Sequence, residues 1–419
     1  MLIDFTVSNY RSFREQQNFS MVKTKGDEQP SNTFRIENIK GLELLKTAAI
    51  YGANASGKSN FLKALETMKR IVTNTSQRGD KLPLAPFKLD KKCLAEPTEF
   101  EITFIVQNIR YQYGFSATES QIFDEWLFAY PKGHSQKWFE RIWDNEAKKH
   151  HWKFSSFLLG TKQVWQQATR DNALFLSTAV QLNSEQLKPL FDWFDNNLKF
   201  SGVNGFSPGF TVMKCTEGKK DKIVRLLKAA DFNIDNISVK TEDFDPSHLP
   251  DDMPEPLKEF LSEKLIGKKG FDLETIHQDN HGNPISFDFD DESDGTQKFF
   301  SFAGPILDVL ENGYTLCIDE LNVNMHPKLV QFLVELFHAP ANNPKNAQLI
   351  FTTHETSILN QNVFRRDQIW FCERDNKQSS ILYPLSDFSP KKGKENLEAG
   401  YLSGRYGALP FIDAFNLER

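Results

Sequence analysis

The chain of 419 residues predicts an α/β fold with a mixed sheet, an antiparallel β lobe and a helical insertion. Three observations support this prediction. A glycine-rich loop at 51–60, YGANASGKSN, joins an apolar stretch to a segment whose apolar residues recur at helical spacing. A second apolar stretch, Tyr314–Ile318, ends at two carboxylates. The segment at 100–117, FEITFIVQNIRYQYGFSA, alternates apolar and polar residues, which is typical of antiparallel strands with one exposed face.

The composition is that of a chain able to bury a sizeable core, since 39% of its residues are hydrophobic and 25% are charged. No stretch approaches the roughly 20 apolar residues of a membrane span, and the opening MLIDFTVSNYRSF lacks the pattern of a signal peptide. We therefore expect a cytoplasmic protein without membrane contact. The cysteines form no CxxC pair, which argues against disulfides and a structural zinc site. They are Cys93, Cys215, Cys317 and Cys372.

The formal net charge of −6 gives the chain no general attraction to nucleic acid. Contact with DNA would therefore need a local basic patch. The candidates are KKDK at 219–222 and KKGK at 391–394, although short lysine runs are more often solvated surface.

The glycine-rich loop matches the phosphate-binding pattern GxxxxGK[ST] through Gly52, Gly57, Lys58 and Ser59. The apolar stretch at 44–51 before it predicts a buried strand, and NFLKALETMKRIV after it predicts a helix. In such an arrangement the backbone N–H groups face the phosphates, Lys58 neutralises the β and γ phosphates, and Ser59 offers its hydroxyl to Mg²⁺. The alternative is a glycine-rich turn that matches by chance, and the strand-loop-helix context argues against it.

The stretch GYTLCIDEL predicts a parallel strand over Tyr314–Ile318, which places Asp319 and Glu320 at its carboxyl end. Ligands of open α/β sheets bind at that edge. We expect Asp319 to hold Mg²⁺ and Glu320 to polarise the water that attacks the γ-phosphate. The alternative is a strand that merely ends in an acidic turn.

A third apolar strand is predicted at Leu349–Thr352, and the stretch AQLIFTTHE then reaches His354. A histidine in this position can donate a hydrogen bond to the γ-phosphate, and we assign His354 to the catalytic site with Glu320. The alternative is a histidine that only belongs to the loop.

The order of these motifs resembles the SMC/RecF-type ABC ATPase heads: FTVSNYRSF, GANASGKSN, an insertion, SDGTQKFFSFAGPIL, LCIDELNVNMHP and IFTTHE. More narrowly, the chain resembles the AAA-labelled ATPases of the AbiL/RloA type from bacterial abortive-infection and anti-phage systems, relatives of the OLD ATPases. The segments that carry this narrower resemblance are RDNALFLSTAVQLN at 170–183 and YLSGRYGALPFI at 401–412.

The resemblance implies that two protomers sandwich two ATP molecules with Mg²⁺, the phosphate-binding loop of one facing a signature motif of the other. The signature residues would be Ser293 and Gly295, followed by Thr296, Gln297 and an apolar helix. Asn54 and Asn60 of the loop would complete the nucleotide contacts. Arg11 matches a basic residue that such heads place near the phosphates or the adenine, with a surface arginine as the alternative.

The sequence departs from the family pattern at three places. Asn322 and Asn324 stand where an aspartate and a serine are usual, and the charge lost at Asn322 bears on coupling across the dimer and on the hydrolysis rate. The stretch LAPFKLD contains no glutamine where a Q-loop is expected. His326 precedes Pro327, and proline favours the first helical position, so His326 is assigned to a helix start rather than to chemistry. A head that binds nucleotide without hydrolysing it remains an alternative.

The predicted organisation has three parts: residues 1–150 form the first half of the ATPase head, 151–270 a mainly helical insertion, and 271–419 the second half. The segment FDLETIHQDNHGNPISFDFDD predicts a hairpin that turns at HGNP. Its alternation of Phe and Asp is typical of a half-buried strand, with a metal-binding cluster as the alternative.

The predicted function is an ATPase that serves as sensor or scaffold subunit of an anti-phage system. The sequence after His354 shows no nuclease motif, so we expect the effector to be a separate polypeptide, a Toprim-like nuclease or a toxin encoded nearby. We also expect a homo-oligomer with at least head-to-head pairing, and DNA or a phage protein as the trigger. The alternative function is a RecF/SMC-like ATPase that clamps DNA in repair or recombination.

Overall fold

A computed structural model describes residues 1–37, 39–74, 77, 79–243, 253–265 and 269–410 of the chain. The chain divides into two compact units, which are described separately. Unit 1 comprises Met1–Val203, Val309–Val323 and Val330–Arg419, and unit 2 comprises Asn204–Asp308 and Asn324–Leu329.

The strands of the described residues are numbered in chain order. They are β1 Leu2–Ser8, β2 Gln17–Ser20, β3 Thr33–Arg35, β4 Glu43–Leu45, β5 Thr47–Tyr51, β6 Thr98–Val106, β7 Ile109–Ala117, β8 Ile122–Tyr130, β9 Gln136–Asp144, β10 Lys149–Phe154, β11 Leu198–Ser201, β12 Asn236–Asp243, β13 Lys269–Gln278, β14 Pro284–Asp288, β15 Thr315–Ile318, β16 Gln348–Thr352, β17 Ile369–Arg374 and β18 Ser380–Pro384.

The α-helices are numbered in the same way. They are α1 Lys58–Thr73, α2 Lys162–Ala168, α3 Phe175–Gln181, α4 Lys188–Asp192, α5 Pro208–Lys214, α6 Lys220–Ala229, α7 Glu255–Leu265, α8 Asp294–Asn312, α9 Pro327–His338 and α10 Leu397–Leu402. Within the described residues, no helix is both long enough and apolar enough to span a bilayer.

Unit 1 contains a six-stranded sheet with the order β11-β15-β16-β5-β17-β18. The pairs from β11 to β17 are parallel, and β18 is antiparallel to β17. Strands β5, β15 and β16 are buried along their whole length, as expected for strands that are covered on both faces. The predicted mixed sheet is confirmed, and its parallel strands bring the segments after β5, β15 and β16 to one edge.

A second sheet of unit 1 is antiparallel throughout, with the order β10-β9-β8-β7-β6-β1-β2. Buried residues alternate with half-buried ones along most of β6, and a tight turn at Gln107 and Asn108, both with positive φ, leads into β7. The antiparallel lobe that the sequence predicted is therefore confirmed.

Helix α1 packs against the antiparallel sheet through aromatic contacts, and that sheet in turn contacts the six-stranded sheet. The Phe61 ring lies 5.7 Å from Phe5 of β1 and 5.1 Å from Phe19 of β2, measured between ring centroids. Phe19 in turn lies 4.9 Å from Trp370 of β17. Since α1 follows the glycine-rich loop directly, this packing fixes the position of the loop relative to the six-stranded sheet.

The region 151–203 contributes helices α2, α3 and α4 and also strand β11, which pairs with β15 at the edge of the six-stranded sheet. The sequence assigned this region to a helical insertion and did not predict the strand. The predicted strand at 44–51 is divided into β4 and β5.

In unit 2, α5 crosses α8 at very short distance. A Cβ atom on Gly304 would lie 2.6 Å from Cα of Thr211, and the Thr211 hydroxyl donates to the carbonyl of Phe300 at 2.8 Å.

The predicted hairpin is confirmed as β13 and β14, which join β12 in a three-stranded sheet. The half-burial predicted for its second strand is wrong, because β14 is an edge strand whose residues are all exposed and only Phe289 beyond it is buried.

Candidate functional site

The glycine-rich loop runs from the end of β5 to the start of α1 and needs its two glycines for different reasons. A Cβ atom on Gly52 would lie 2.2 Å from the carbonyl oxygen of Cys372. Gly57 adopts a φ of 119°, a left-handed conformation, and a Cβ there would lie 2.2 Å from Oγ of Ser380. The loop therefore rests directly on β17 and β18.

The underside of the loop is tied to those strands by hydrogen bonds to the Ser56 carbonyl. It accepts from the thiol of Cys372 at 3.4 Å and from the hydroxyl of Ser380. Burial raises the pKa of the Cys372 thiol to about 12, so Cys372 is a neutral donor at neutral pH. These contacts hold the loop in a shape in which Ala55 takes a φ of 59°, unusual for a residue other than glycine.

Lys58 begins α1, and its side chain is only 4% exposed. The ammonium donates to the carbonyl oxygens of Gly52 at 2.9 Å and Ala53 at 3.3 Å, and it lies 2.9 Å from Nε2 of His354. Burial lowers the pKa of Lys58, although the carboxylate of Glu320 acts in the opposite direction. The Lys58 ammonium is thus positioned where it could bind an anion, and acceptors of the protein itself hold it there.

Asp319 follows β15 and receives two hydroxyl groups on one oxygen. Its Oδ1 accepts from Oγ of Ser59 at 3.0 Å and from Oγ1 of Thr352 at 2.7 Å. The contact with Ser59 joins the carboxyl end of β15 to the first turn of α1. These are the two residues that the sequence predicted as Mg²⁺ ligands, and the structure brings them together.

Glu320 has a φ of 55°, a left-handed backbone conformation that is strained for a residue with a Cβ. Its Oε1 lies 3.2 Å from Nε2 of His354 and 3.8 Å from Nζ of Lys58. Burial raises the pKa of the Glu320 carboxyl, but the hydrogen bond with His354 and the charges of His354 and Lys58 outweigh it, so the pKa lies below its usual value. Glu320 is therefore ionised at neutral pH and can act as a base.

Nε2 of His354 has two neighbours and can serve only one of them. It accepts a hydrogen bond from the ammonium of Lys58 when the ring hydrogen is on Nδ1, and it donates a hydrogen bond to Glu320 when Nε2 carries the hydrogen. The position of the ring hydrogen therefore decides which of the two side chains His354 binds.

Asn322, one of the departures from the family pattern, also contacts the segment that contains His354. Its Oδ1 accepts from Oγ1 of Thr353 at 2.9 Å and from the backbone N–H of His354 at 3.2 Å. An aspartate would accept the same two hydrogen bonds, because both are accepted by the side-chain oxygen. The substitution removes a charge here and keeps these two contacts.

The remaining predicted residues of the loop region lie at its rim. Asn54 is exposed, and Asn60 donates to Oγ of Ser12 at 2.9 Å. Arg11 precedes Ser12 in a tight turn with a φ of 50°, and its Nε donates to the Tyr10 hydroxyl at 3.0 Å. Arg11 is therefore the chain neighbour of Ser12, which accepts a hydrogen bond from Asn60 of α1.

Ser293 and Gly295 lie in unit 2, at the start of α8. The Ser293 hydroxyl accepts from the backbone N–H of Thr296 at 3.2 Å, so it caps the helix. A Cβ atom on Gly295 would lie 3.4 Å from the carbonyl oxygen of Asn324. Nδ1 of His326 accepts from the backbone N–H of Lys328 at 3.2 Å, in agreement with the assignment of His326 to the start of α9.

The residues fit the magnesium ion that the pattern implies. A hydroxyl and a carboxylate oxygen, from Ser59 and Asp319, face each other at 3.0 Å, and oxygen ligands are those that Mg²⁺ prefers. Mg²⁺ is commonly held by one or two protein ligands together with phosphate oxygens and water. In the described part of the chain, no group of three or more His, Cys, Asp or Glu is arranged to hold a metal ion.

The sequence analysis missed Thr352 and Thr353, which connect the ends of β15 and β16. The signal was present as the pair of threonines in IFTTHE, whose hydroxyls stand between a buried strand and His354.

The sequence analysis also did not predict where the segment at 401–410 lies in the fold. The Tyr401 and Tyr406 rings stack on Phe371 at 5.3 and 5.8 Å, and Tyr401 lies 6.0 Å from Tyr51, the residue before Gly52. Residues 411 and 412 of the same motif lie outside the described residues.

Comparisons with known proteins bear on this site. A family model described as "AAA domain, putative AbiEii toxin, Type IV TA system" matches residues 48–360. Among solved structures, the chain is similar to the SMC head domain from Thermotoga maritima, with 11% identity, a TM-score of 0.40 and coverage of 91% of this chain and 98% of that chain. It is also similar to the recombination mediator protein RecF-ATPrS in the RecFOR pathway, with 13% identity, a TM-score of 0.37 and coverage of 92% and 98%. No curated protein matches the chain.

Proposed function

Because the chain belongs to this family of AAA domains, we propose that it binds and hydrolyses ATP as the sensor or scaffold subunit of a bacterial anti-phage system of the abortive-infection kind, which controls a separate effector. The observation that carries the ATPase proposal is the meeting of Lys58, Glu320 and His354 at one edge of the six-stranded sheet, with Nε2 of His354 within 3.2 Å of both other side chains. These residues come from three segments that are far apart in the sequence.

ATP binding replaces contacts that the protein makes with itself. The Lys58 ammonium leaves His354 and pairs with the β and γ phosphate oxygens, while the backbone N–H groups of the loop and of the first turn of α1 surround them. His354 is then free to donate to the γ-phosphate. Ser59 and Asp319 would hold Mg²⁺, which would neutralise part of the negative charge of the phosphate.

Hydrolysis uses Glu320 as the base. Its carboxylate orients a water molecule and takes a proton from it as the water oxygen bonds to the γ-phosphorus, and the bond from that phosphorus to the bridging oxygen of ADP breaks. Lys58 stabilises the negative charge that the leaving ADP gains. The products are ADP and inorganic phosphate.

Control of the effector is proposed to follow the pairing of two copies. The Ser293–Gly295 turn of one copy would meet the γ-phosphate held by the other, since the positive end of α8 follows it. The effector would be a Toprim-like nuclease or a toxin, and DNA or a phage protein would act as the trigger. The support for the defence role is the resemblance carried by the segments 170–183 and 401–412.

Two measurements test the proposal. Phosphate release from Mg-ATP by the purified protein tests the ATPase, and its absence would contradict that part. Affinity purification from cells that also express the native neighbouring genes, followed by mass spectrometry and a mass measurement of the complex, tests the defence role. A co-purifying nuclease or toxin supports it, whereas ATP-dependent DNA binding by the protein alone would favour a DNA clamp.

A further inference from the structure

We infer that Thr352 is a positioning residue for ATP hydrolysis, because its single hydroxyl sets the orientation of both Asp319 and Glu320. This inference rests on the proposed ATPase activity and adds a residue to which the phosphate-binding patterns assign no role. Thr352 is the last residue of β16, two positions before His354.

The Thr352 hydroxyl makes two hydrogen bonds in opposite senses. Its Oγ1 donates to Oδ1 of Asp319 at 2.7 Å and accepts from the backbone N–H of Glu320 at 2.7 Å. The hydroxyl has one hydrogen, so the donor role is fully used by Asp319. Thr352 is completely buried, and water therefore has no access to replace either bond.

The first bond acts on the predicted metal ligand. Oδ1 of Asp319 is shared between Thr352, at 2.7 Å, and Ser59, at 3.0 Å. The bond from Thr352 restricts rotation of the carboxylate, which keeps it aimed at α1. A side chain that orients a metal ligand in this way affects metal affinity without touching the metal.

The second bond acts on the predicted base. Glu320 holds a left-handed backbone with a φ of 55°, and such a conformation persists only where its surroundings enforce it. Thr352 supplies two of those restraints, since its hydroxyl accepts from the N–H of Glu320 and its carbonyl accepts from the N–H of Leu321 at 3.0 Å. The direction of the Glu320 side chain follows from this backbone.

A matched control exists at the opposite end of the same two strands. Thr315, the first residue of β15, is 1% exposed, and its hydroxyl donates to Oε1 of Gln348, the first residue of β16, at 3.2 Å. Replacing Thr315 by valine removes a buried hydroxyl from the same strand pair at a distance from the site. It therefore reports the loss of stability alone.

The test compares Thr352→Val, Thr352→Ser and Thr315→Val in the full-length protein. For Thr352→Val we expect kcat to fall about 10- to 100-fold and the Mg²⁺ concentration for half-maximal activity to rise by a factor of about 5 or more. ATP affinity measured in EDTA should stay within a factor of about 2, because the phosphate contacts of Lys58 are unchanged. Thr352→Ser keeps the hydroxyl and should stay within about 3-fold of the wild type in kcat.

The ratio of ATP affinity with and without Mg²⁺ is the second readout, and it does not depend on turnover. Thr352→Val should reduce that ratio and Thr315→Val should not. Unchanged kcat and an unchanged ratio in Thr352→Val would overturn the inference while leaving the ATPase proposal intact. Equal losses in Thr352→Ser, or in Thr315→Val, would also overturn it, since packing or stability would then explain the effect. If the wild type did not hydrolyse ATP, the ATPase proposal would be contradicted instead. The affinity ratio would then still show whether Thr352 orients Asp319 for Mg²⁺.

Discussion

The Nζ atom of Lys58 lies 2.9 Å from Nε2 of His354, a residue 296 positions later in the chain. This contact joins the glycine-rich loop to the segment after β16. The Lys58 ammonium also donates to the carbonyl oxygens of Gly52 and Ala53, and it lies 3.8 Å from Oε1 of Glu320. A triphosphate bound at Lys58 must therefore compete with these groups for the ammonium, and its larger negative charge favours it.

Replacing Lys58 by alanine should abolish ATP binding, because the β and γ phosphates lose their main side-chain counter-ion. Binding is measured by calorimetry or with a fluorescent ATP analogue. Lys63→Ala is the matched control, since Lys63 is an exposed lysine of the same helix. Nucleotide affinity unchanged within a factor of about 2 in Lys58→Ala would show that the phosphate-binding assignment is wrong.

Replacing Glu320 by glutamine keeps the size of the side chain and removes the base. Hydrolysis should fall by a factor of about 10² or more while ATP still binds, and paired copies should accumulate in the ATP state. The control is Glu335→Gln, which changes an exposed glutamate of α9 that accepts from Gln331 at 2.7 Å. Wild-type turnover by Glu320→Gln would require another residue to be the base.

The phenotype of Glu320→Gln separates two forms of the defence proposal. Loss of phage protection is expected if turnover releases the effector, and constitutive toxicity is expected if the closed ATP state is the active one. Protection identical to the wild type, in a variant shown to have lost turnover, would disconnect the nucleotide cycle from defence.

Replacing Ser293 by arginine should leave ATP binding by a single copy intact and prevent ATP-dependent pairing, because a bulky cation would occupy the start of α8. Ser293 also caps that helix, so stability must be controlled separately. Ser207→Arg serves this purpose, since Ser207 caps α5 in the same unit by accepting from the N–H of Gly209 at 3.3 Å. Light scattering with and without ATP measures the pairing, and equal association of Ser293→Arg and wild type would contradict the sandwich arrangement.

The pH dependence of stability should depend on His338, which is buried in α9 beside β5. The Thr47 hydroxyl lies 2.8 Å from its Nε2, and the Lys46 ammonium donates to its backbone carbonyl at 3.1 Å. Burial, together with the charge of Lys46, lowers the pKa of His338 to about 3. The unfolded chain takes up a proton at this side chain near pH 6.5 and the folded chain does so only near pH 3, so protonation favours unfolding between these values.

The stability that neutral His338 contributes is therefore present above about pH 6.5 and is lost as the pH falls towards 3, by at most about 1.4 kcal/mol per pH unit. Denaturant unfolding of wild type and His338→Gln from pH 7 to pH 4 measures it. The difference in the free energy of unfolding between the two proteins should shrink as the pH falls, whereas His134→Gln, a change at an exposed histidine, should follow the wild type. A constant difference for His338→Gln would show that His338 does not titrate in this way.

Several features were predictable because each depends on neighbours in the sequence. The glycine-rich loop is a local pattern between a strand and a helix, and the carboxylates of Asp319 and Glu320 follow an apolar run of strand length. The alternation at 100–117 likewise predicts β6 and β7 without knowledge of the rest of the chain. Apolar periodicity and glycine positions determine such elements, since backbone geometry and burial of one face act over a few residues.

The tertiary structure decided which side chains share hydrogen bonds. Thr352 contacts Asp319 and Glu320 only because β16 lies next to β15 in register, and Asn322 meets His354 for the same reason. Strand β11 completes the sheet beside β15, and the exposure of β14 follows from its place at an edge. A hydrogen bond requires two atoms to meet within about 3 Å, and for residues far apart in the chain that distance depends on strand order and register, which periodicity in the sequence does not contain.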